Sequence, residues 1–172
     1  MKKIVIVGYM ASGKSIIGER LSNLLNVRYV DLDVEIEKCT KCTIQTLIET
    51  KGELYFRKIE NDLFKTFLFS DEKIILSLGG GTPCYYNNHL LLQHEGIASF
   101  FLDVPIPKLV ERIQNDSNQR PLVKDKNTQL LTEFVGKHLF ERRFYYSFAK
   151  NQIKINNENP QQIAERIYNL LT

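Results

Sequence analysis

The 172-residue sequence predicts an α/β fold of three layers, with a five-stranded parallel sheet between two layers of helices. Three observations predict it. Short apolar runs alternate along the chain with longer stretches of helical periodicity. Several of those runs, such as Ile4–Val7, are continuous rather than alternating, as in strands buried on both faces. The first run also ends in a glycine-bounded turn, Gly8–Ser15, that leads straight into a helical pattern.

The elements follow in order. Ile4–Val7 reads as the first strand, and Ile16, Ile17, Leu21, Leu24 and Leu25 give the apolar face of the first helix. Arg28–Val30 is a short second strand ending at Asp31-Leu32-Asp33, and a helical pattern leads on from Val34. Thr43 opens another helix, which Gly52 stops. Phe56–Phe69 is long and amphipathic, Lys73–Leu78 is a strand halted by Gly79–Gly81, and Ala98–Leu102 is a further strand. Pro105 and Pro107 precede a helix over 108–113. The polar stretch 114–128 has only Pro121-Leu122-Val123 as an apolar island and reads as a mobile lid. A helix over 130–146, a strand over 153–155, a turn over 156–160 and a helix over 161–171 complete one domain, 1–172.

Composition narrows the function classes. A 43% hydrophobic, 25% charged chain is ordinary for a globular protein, and a net charge of +3 without a dense basic stripe makes no case for nucleic acid. Lys2-Lys3 before IVIV resembles an export signal, but the run stops at Gly8, short of the ~7–15 apolar residues required, and no stretch approaches a membrane span. Three cysteines, an odd number, fit a reducing cytoplasm, and Cys39-x-x-Cys42 is expected to be incidental. A monomer is expected.

In a parallel sheet, ligands bind beyond the carboxyl ends of the strands. That rule gathers Gly8–Ser15, Asp31 and Asp33, and Gly79–Gly81 into one cleft. The loop, GYMASGKS, is a phosphate cradle: backbone N–H groups and a helix N-terminus face an anion, Lys14 adds a mobile charge, and the Ser15 hydroxyl suits a nucleotide-bound Mg²⁺. Asp31 and Asp33 alternate across an extended end, so one can support the metal while the other takes a hydroxyl proton, as phosphoryl transfer to an alcohol requires. Three consecutive glycines suggest close backbone approach to a ligand. Arg120, just before Pro121 in the lid, can swing over a transferred phosphoryl group, a device worth ~10³–10⁵ in rate.

Taken in order, the loop, D-x-D, F-R, G-G-G, R-P-L and R-x-x-x-Y resemble the shikimate kinases over nearly the whole chain. The resemblance implies a P-loop NTPase-type fold and transfer of the ATP γ-phosphoryl group to the 3-hydroxyl of shikimate, in the pathway to chorismate and the aromatic amino acids. It implies that Ala11, Ser12, Gly13, Lys14, Ser15 and Ile16 hold ATP, with Arg112 on the adenine and Arg120 on the phosphates. Ser15 and Asp31 would serve one Mg²⁺. Asp33 would be the base, in a substrate-binding helical segment over about 33–61, and Arg57 and Arg142 would grip the carboxylate, with Gly79, Gly80 and Gly81 alongside. Asn156–Pro160 resembles the adenine loop.

The sequence departs from the family pattern in places. Ala11 and Lys41 stand at common glycine positions, so the turn at Lys41 is expected to differ. Phe144 replaces a proline, leaving Arg142 and Arg143 as rival clamps, with the spacing to Tyr146 favouring Arg142. Glu158 is unusual in the adenine loop. The competing reading is another small-metabolite kinase, such as a gluconate kinase. A GTPase switch is disfavoured, because neither D-x-x-G nor N/T-K-x-D occurs.

Overall fold

The computed structural model describes residues 3–115 and 127–172. Its parallel sheet has the order β2-β3-β1-β4-β5, with β1 (Lys3–Val7) at the centre, β2 (Arg28–Asp31) and β3 (Ile74–Ser77) on one side, and β4 (Ile97–Asp103) and β5 (Asn151–Lys154) on the other. Ile4, Val5 and Ile6 pair with Ile75, Leu76 and Ser77 on one edge and with Ala98, Ser99 and Phe100 on the other. Strand β1 is therefore covered on both edges and both faces, which is why it reads as unbroken IVIV.

Helices α1 (Lys14–Leu25), α2 (Leu32–Thr40), α3 (Ile44–Lys51), α4 (Glu53–Phe69), α5 (Asn88–Leu91), α6 (Ile106–Gln114), α7 (Thr128–Tyr146) and α8 (Pro160–Leu171) form the outer layers, and one 3₁₀ turn spans Thr82–Cys84. Ile17 and Leu21 of α1, Phe64 of α4 and Ile163 and Ile167 of α8 are buried in one core with the strands.

Several boundaries move for local reasons. Helix α2 begins at Leu32 rather than Val34, because the Asp31 carboxylate accepts from the Asp33 N–H at 3.0 Å and caps it. Helix α7 begins at Thr128, where Asn127 accepts from the Leu130 N–H at 2.9 Å. Gly52, at φ 88°, ends α3 as expected and also starts α4, so that α4 opens a turn before Phe56. In the turn after α2, Lys41 adopts the left-handed conformation, φ 55°, that glycine takes most readily. The 3₁₀ turn and α5 carry no strong sequence period and were not expected.

Candidate active site

The loop after β1 has the geometry of an anion cradle. Ala11 at φ 59° and Gly13 at φ 95° are left-handed, which turns successive N–H groups toward one side. Helix α1 starts at Lys14 without a side-chain cap, so its first N–H groups stay available to a ligand. The Lys14 ammonium folds back onto the loop and donates to the carbonyls of Gly8 (2.9 Å) and Tyr9 (3.1 Å). Beside it, the Ser15 hydroxyl donates to Asp31 Oδ2 at 3.3 Å, and the Tyr29 phenol donates to the same oxygen at 3.2 Å. Desolvation, more than the neighbouring carboxylate, pushes the Tyr29 pKa up to about 12.

Because β1 and β3 are neighbours, the glycine run after β3 lies against this cradle, with the Leu78 N–H donating to Ile6 O at 3.1 Å. Each glycine faces a different charged side chain. A Cβ on Gly79 would lie 2.7 Å from Asp33 Oδ1, one on Gly80 would lie 3.2 Å from an Arg142 guanidinium nitrogen, and one on Gly81 would lie 2.6 Å from Arg57. Close approach, rather than loop flexibility, is what the three positions require.

Arg57 comes from the second turn of α4 and is buried, its Nη1 donating to Glu60 at 2.8 Å and its Nη2 to Glu53 at 3.3 Å. Its guanidinium also lies 4.2 Å from the centre of the Tyr85 ring. Desolvation is the largest single influence on its pKa and works downward, but the pull of Glu60, Tyr85 and Glu53 together outweighs it and the net shift is upward. Arg142, on α7, stands 5.9 Å from the centre of the Tyr9 ring. One turn on, the Tyr146 phenol donates to Gly80 O at 2.6 Å. Arg143 points elsewhere and pairs with Asp103 at 2.9 Å.

The cleft therefore has a cationic, phosphate-shaped end and a second end where the Asp33 and Glu60 carboxylates and two guanidinium groups surround bare backbone. A family model for shikimate kinase matches residues 10–172. The chain belongs to the shikimate kinase family.

The chain is 47% identical over 171 residues to a shikimate kinase of Flavobacterium psychrophilum, covering 99% of each. Its fold is similar to a solved shikimate kinase of Bacteroides thetaiotaomicron, with TM-score 0.91 and 28% identity over 99% of this chain and 98% of that one. It is also similar to a shikimate kinase of Acinetobacter baumannii solved in complex with shikimate, with TM-score 0.83 and 27% identity over 99% and 93%. The fold is the three-layer P-loop type expected for the family.

Against the residues named from the sequence, some details change. Asp33 lies in the first turn of α2, not on an extended end, so it and Asp31 are separated by a helix start rather than by strand alternation. Arg112 donates from Nη1 to the carbonyls of Ala11 (3.1 Å) and Ser12 (3.2 Å), so part of its guanidinium braces the loop. It still borders a cleft of about 390 Å³ lined by Ala11, Gly13, Lys14, Ser15 and Ile16. Glu158 is engaged with Arg166 and accepts from the Asn156 N–H at 3.0 Å, closing the 156–160 turn on itself. Arg120 and most of the expected lid lie outside the described residues.

Sequence reasoning passed over Glu60, Tyr9 and Tyr85, and used Tyr146 only as a spacing mark for Arg142 without its hydrogen bond to Gly80. Glu60 had a usable signal: it stands in phase with Phe56 and Phe64 on the buried face of α4, where a lone charge needs a partner. Tyr85 had none, since it follows a short irregular turn.

The three cysteines are free. Among the described residues no three His, Cys, Asp or Glu side chains form a metal cluster, and no helix is long and apolar enough to cross a membrane.

Proposed function

We propose that this chain transfers the γ-phosphoryl group of ATP to the 3-hydroxyl of shikimate, giving shikimate 3-phosphate and ADP. The observation that carries the reading is the convergence of Asp33, Arg142 and Arg57 on Gly79, Gly80 and Gly81 beside the phosphate loop. An acceptor with a carboxylate at one end and an alcohol at the other suits that arrangement. Family membership supports the same reading.

In this mechanism the loop N–H groups and the α1 N-terminus hold the β- and γ-phosphates, and Lys14 exchanges its two carbonyl partners for phosphate oxygens. Arg57 and Arg142 bind the shikimate carboxylate, an interaction that fixes orientation because guanidinium and carboxylate match in shape. Gly80 supplies backbone contact. Asp33 accepts the proton of the attacking hydroxyl. Arg120 would neutralise charge on the transferred group, and the segment about 114–128 would serve as the lid over one domain, 1–172. Ser15 and Asp31 offer adjacent oxygens, a hard donor set that fits Mg²⁺. They would hold one such ion, which when bound offsets charge on the β- and γ-oxygens. The enzyme would work in the cytoplasm as a monomer, and its small net charge of +3 supports the reading that it has no nucleic-acid partner.

The test is a panel of acceptors with ATP: shikimate, gluconate and nucleoside monophosphates. Turnover confined to shikimate is expected. Preference for gluconate or a nucleotide would overturn the assignment.

A further inference from the structure

Tyr9, the second residue of the phosphate loop, is 1% exposed, whereas Ala11, Gly13, Lys14 and Ser15 further along the loop line the cleft. Helix α7 holds its ring at two points. The phenol shares a hydrogen bond of 3.0 Å with His138 Nδ1, and the two rings meet edge to face at 5.6 Å. One helical turn further on, the Arg142 guanidinium lies 5.9 Å from the ring centre, within cation–π range. Phe134, one turn earlier, packs on the His138 ring at 5.3 Å. The backbone carbonyl of Tyr9 meanwhile accepts from Lys14 Nζ at 3.1 Å and from the Ser12 N–H at 3.2 Å. One residue thus touches the loop lysine through its backbone and the α7 arginine through its ring.

From this geometry we infer that His138 is a positioning residue: by holding the Tyr9 phenol it fixes the ring on which Arg142 rests, and so ties the acceptor-side arginine to the phosphate loop. The inference rests on the kinase reading for what Arg142 binds. His138 itself touches no proposed substrate site and acts through Tyr9. Charged neighbours of the imidazole are Arg142 and Glu141, both on α7. Burial first, then Arg142, lowers the imidazole pKa against the opposing pull of Glu141, which favours the neutral ring that a phenol can bond.

Shikimate binding to the full-length protein, measured by calorimetry with a nucleotide diphosphate present, tests this with Tyr9→Phe, His138→Leu, His138→Asn and the Tyr9→Phe/His138→Leu double variant. Loss of the one hydrogen bond should weaken shikimate about 3- to 10-fold in Tyr9→Phe and in His138→Leu. Nucleotide affinity and kcat should change less. Asparagine, whose amide can occupy the place of Nδ1, should restore most of the affinity. The double variant should lose less than the product of the single losses, the mark of two groups acting together. Wild-type shikimate affinity in Tyr9→Phe, a multiplicative double variant, or an asparagine variant as weak as the leucine one would each overturn the inference. If His138→Leu does not fold, Tyr9→Phe and His138→Asn decide alone. Turnover by the unsubstituted enzyme is scored separately: its absence counts against the kinase reading, whereas unchanged binding in these variants counts only against the role of His138.

Discussion

Glu60 and Arg57, three residues apart on α4, form a buried ion pair at 2.8 Å, and the carboxylate takes a second hydrogen bond from the Thr82 hydroxyl at 2.6 Å. Glu60 is 1% exposed, so its charge is set against Arg57 rather than against water. The pair carries Arg57 to Gly81, and Thr82 fastens that arrangement to the residue following the glycine run.

Removing the Glu60 charge leaves Arg57 buried without its closest counter-ion. Breaking such a pair typically costs about 3–5 kcal/mol, so Glu60→Ala should lower unfolding stability by that order. Glu60→Gln keeps the shape and the contact with Thr82. It should raise the KM for shikimate about tenfold with a smaller change in kcat, since Arg57 is then less firmly aimed. Chemical denaturation and steady-state kinetics on the two variants check both outcomes.

Asp33 and Lys14 should separate in kinetics. Asp33→Asn preserves size and should lower kcat by about 10²–10⁴-fold while nucleotide binding is kept, as for loss of a general base. Lys14→Ala should abolish most turnover, because charge on the transferring phosphoryl group then has no loop ammonium. A near-normal kcat in Asp33→Asn would remove that residue from the base role.

Lys41 occupies a left-handed backbone position at the end of α2, with φ 55°. A side chain there costs about 1–2 kcal/mol that glycine avoids, partly offset by the greater entropy glycine loses on folding. Lys41→Gly should therefore raise stability by about 0.5–1 kcal/mol, or about 1–4 °C in Tm for a chain of this size. Thermal melting of the two proteins checks it, and kinetics should be unchanged.

Two phenols, the buried Tyr146 and the half-buried Tyr29, give the fold an alkaline limit. Burial is the main cause of the rise of Tyr29 to about 12 and of Tyr146 well above the usual phenol range. In both, the folded state holds its proton more tightly than the unfolded chain does. Their contribution is therefore fully present below about pH 10, where the unfolded phenols titrate, and is lost as pH rises toward the folded values. Denaturation midpoints between pH 8 and 11.5 should fall from about pH 10 upward, and Tyr29→Phe should make that fall shallower.

Much of this molecule was legible in the residues. The IVIV run, the G-x-x-x-x-G-K-S turn and the helical period after it place the cradle without coordinates, because burial and phosphate binding leave few residue choices there. The carboxyl-end rule already placed Asp33 and Gly79–Gly81 in one cleft, but the link from Arg142 to Gly80 was legible only through resemblance, since nothing local in the sequence reports which elements are neighbours. The order β2-β3-β1-β4-β5 supplies that missing step. Helix starts at Leu32, Glu53 and Thr128 were displaced because caps at Asp31, Gly52 and Asn127 act before the apolar period begins. Tyr9 was passed over because an aromatic residue near a loop reads as core until its hydroxyl partner is seen.

The most direct measurement of the central claim is the structure of the phosphorylated product formed by the purified chain from ATP and shikimate, read by phosphorus–proton coupling in NMR. The arrangement of Arg57 and Arg142 opposite Asp33 predicts a single monoester on the 3-hydroxyl of shikimate, accumulating one-for-one with ADP. A phosphate on another hydroxyl, or ADP formed with no phosphorylated shikimate, would contradict it.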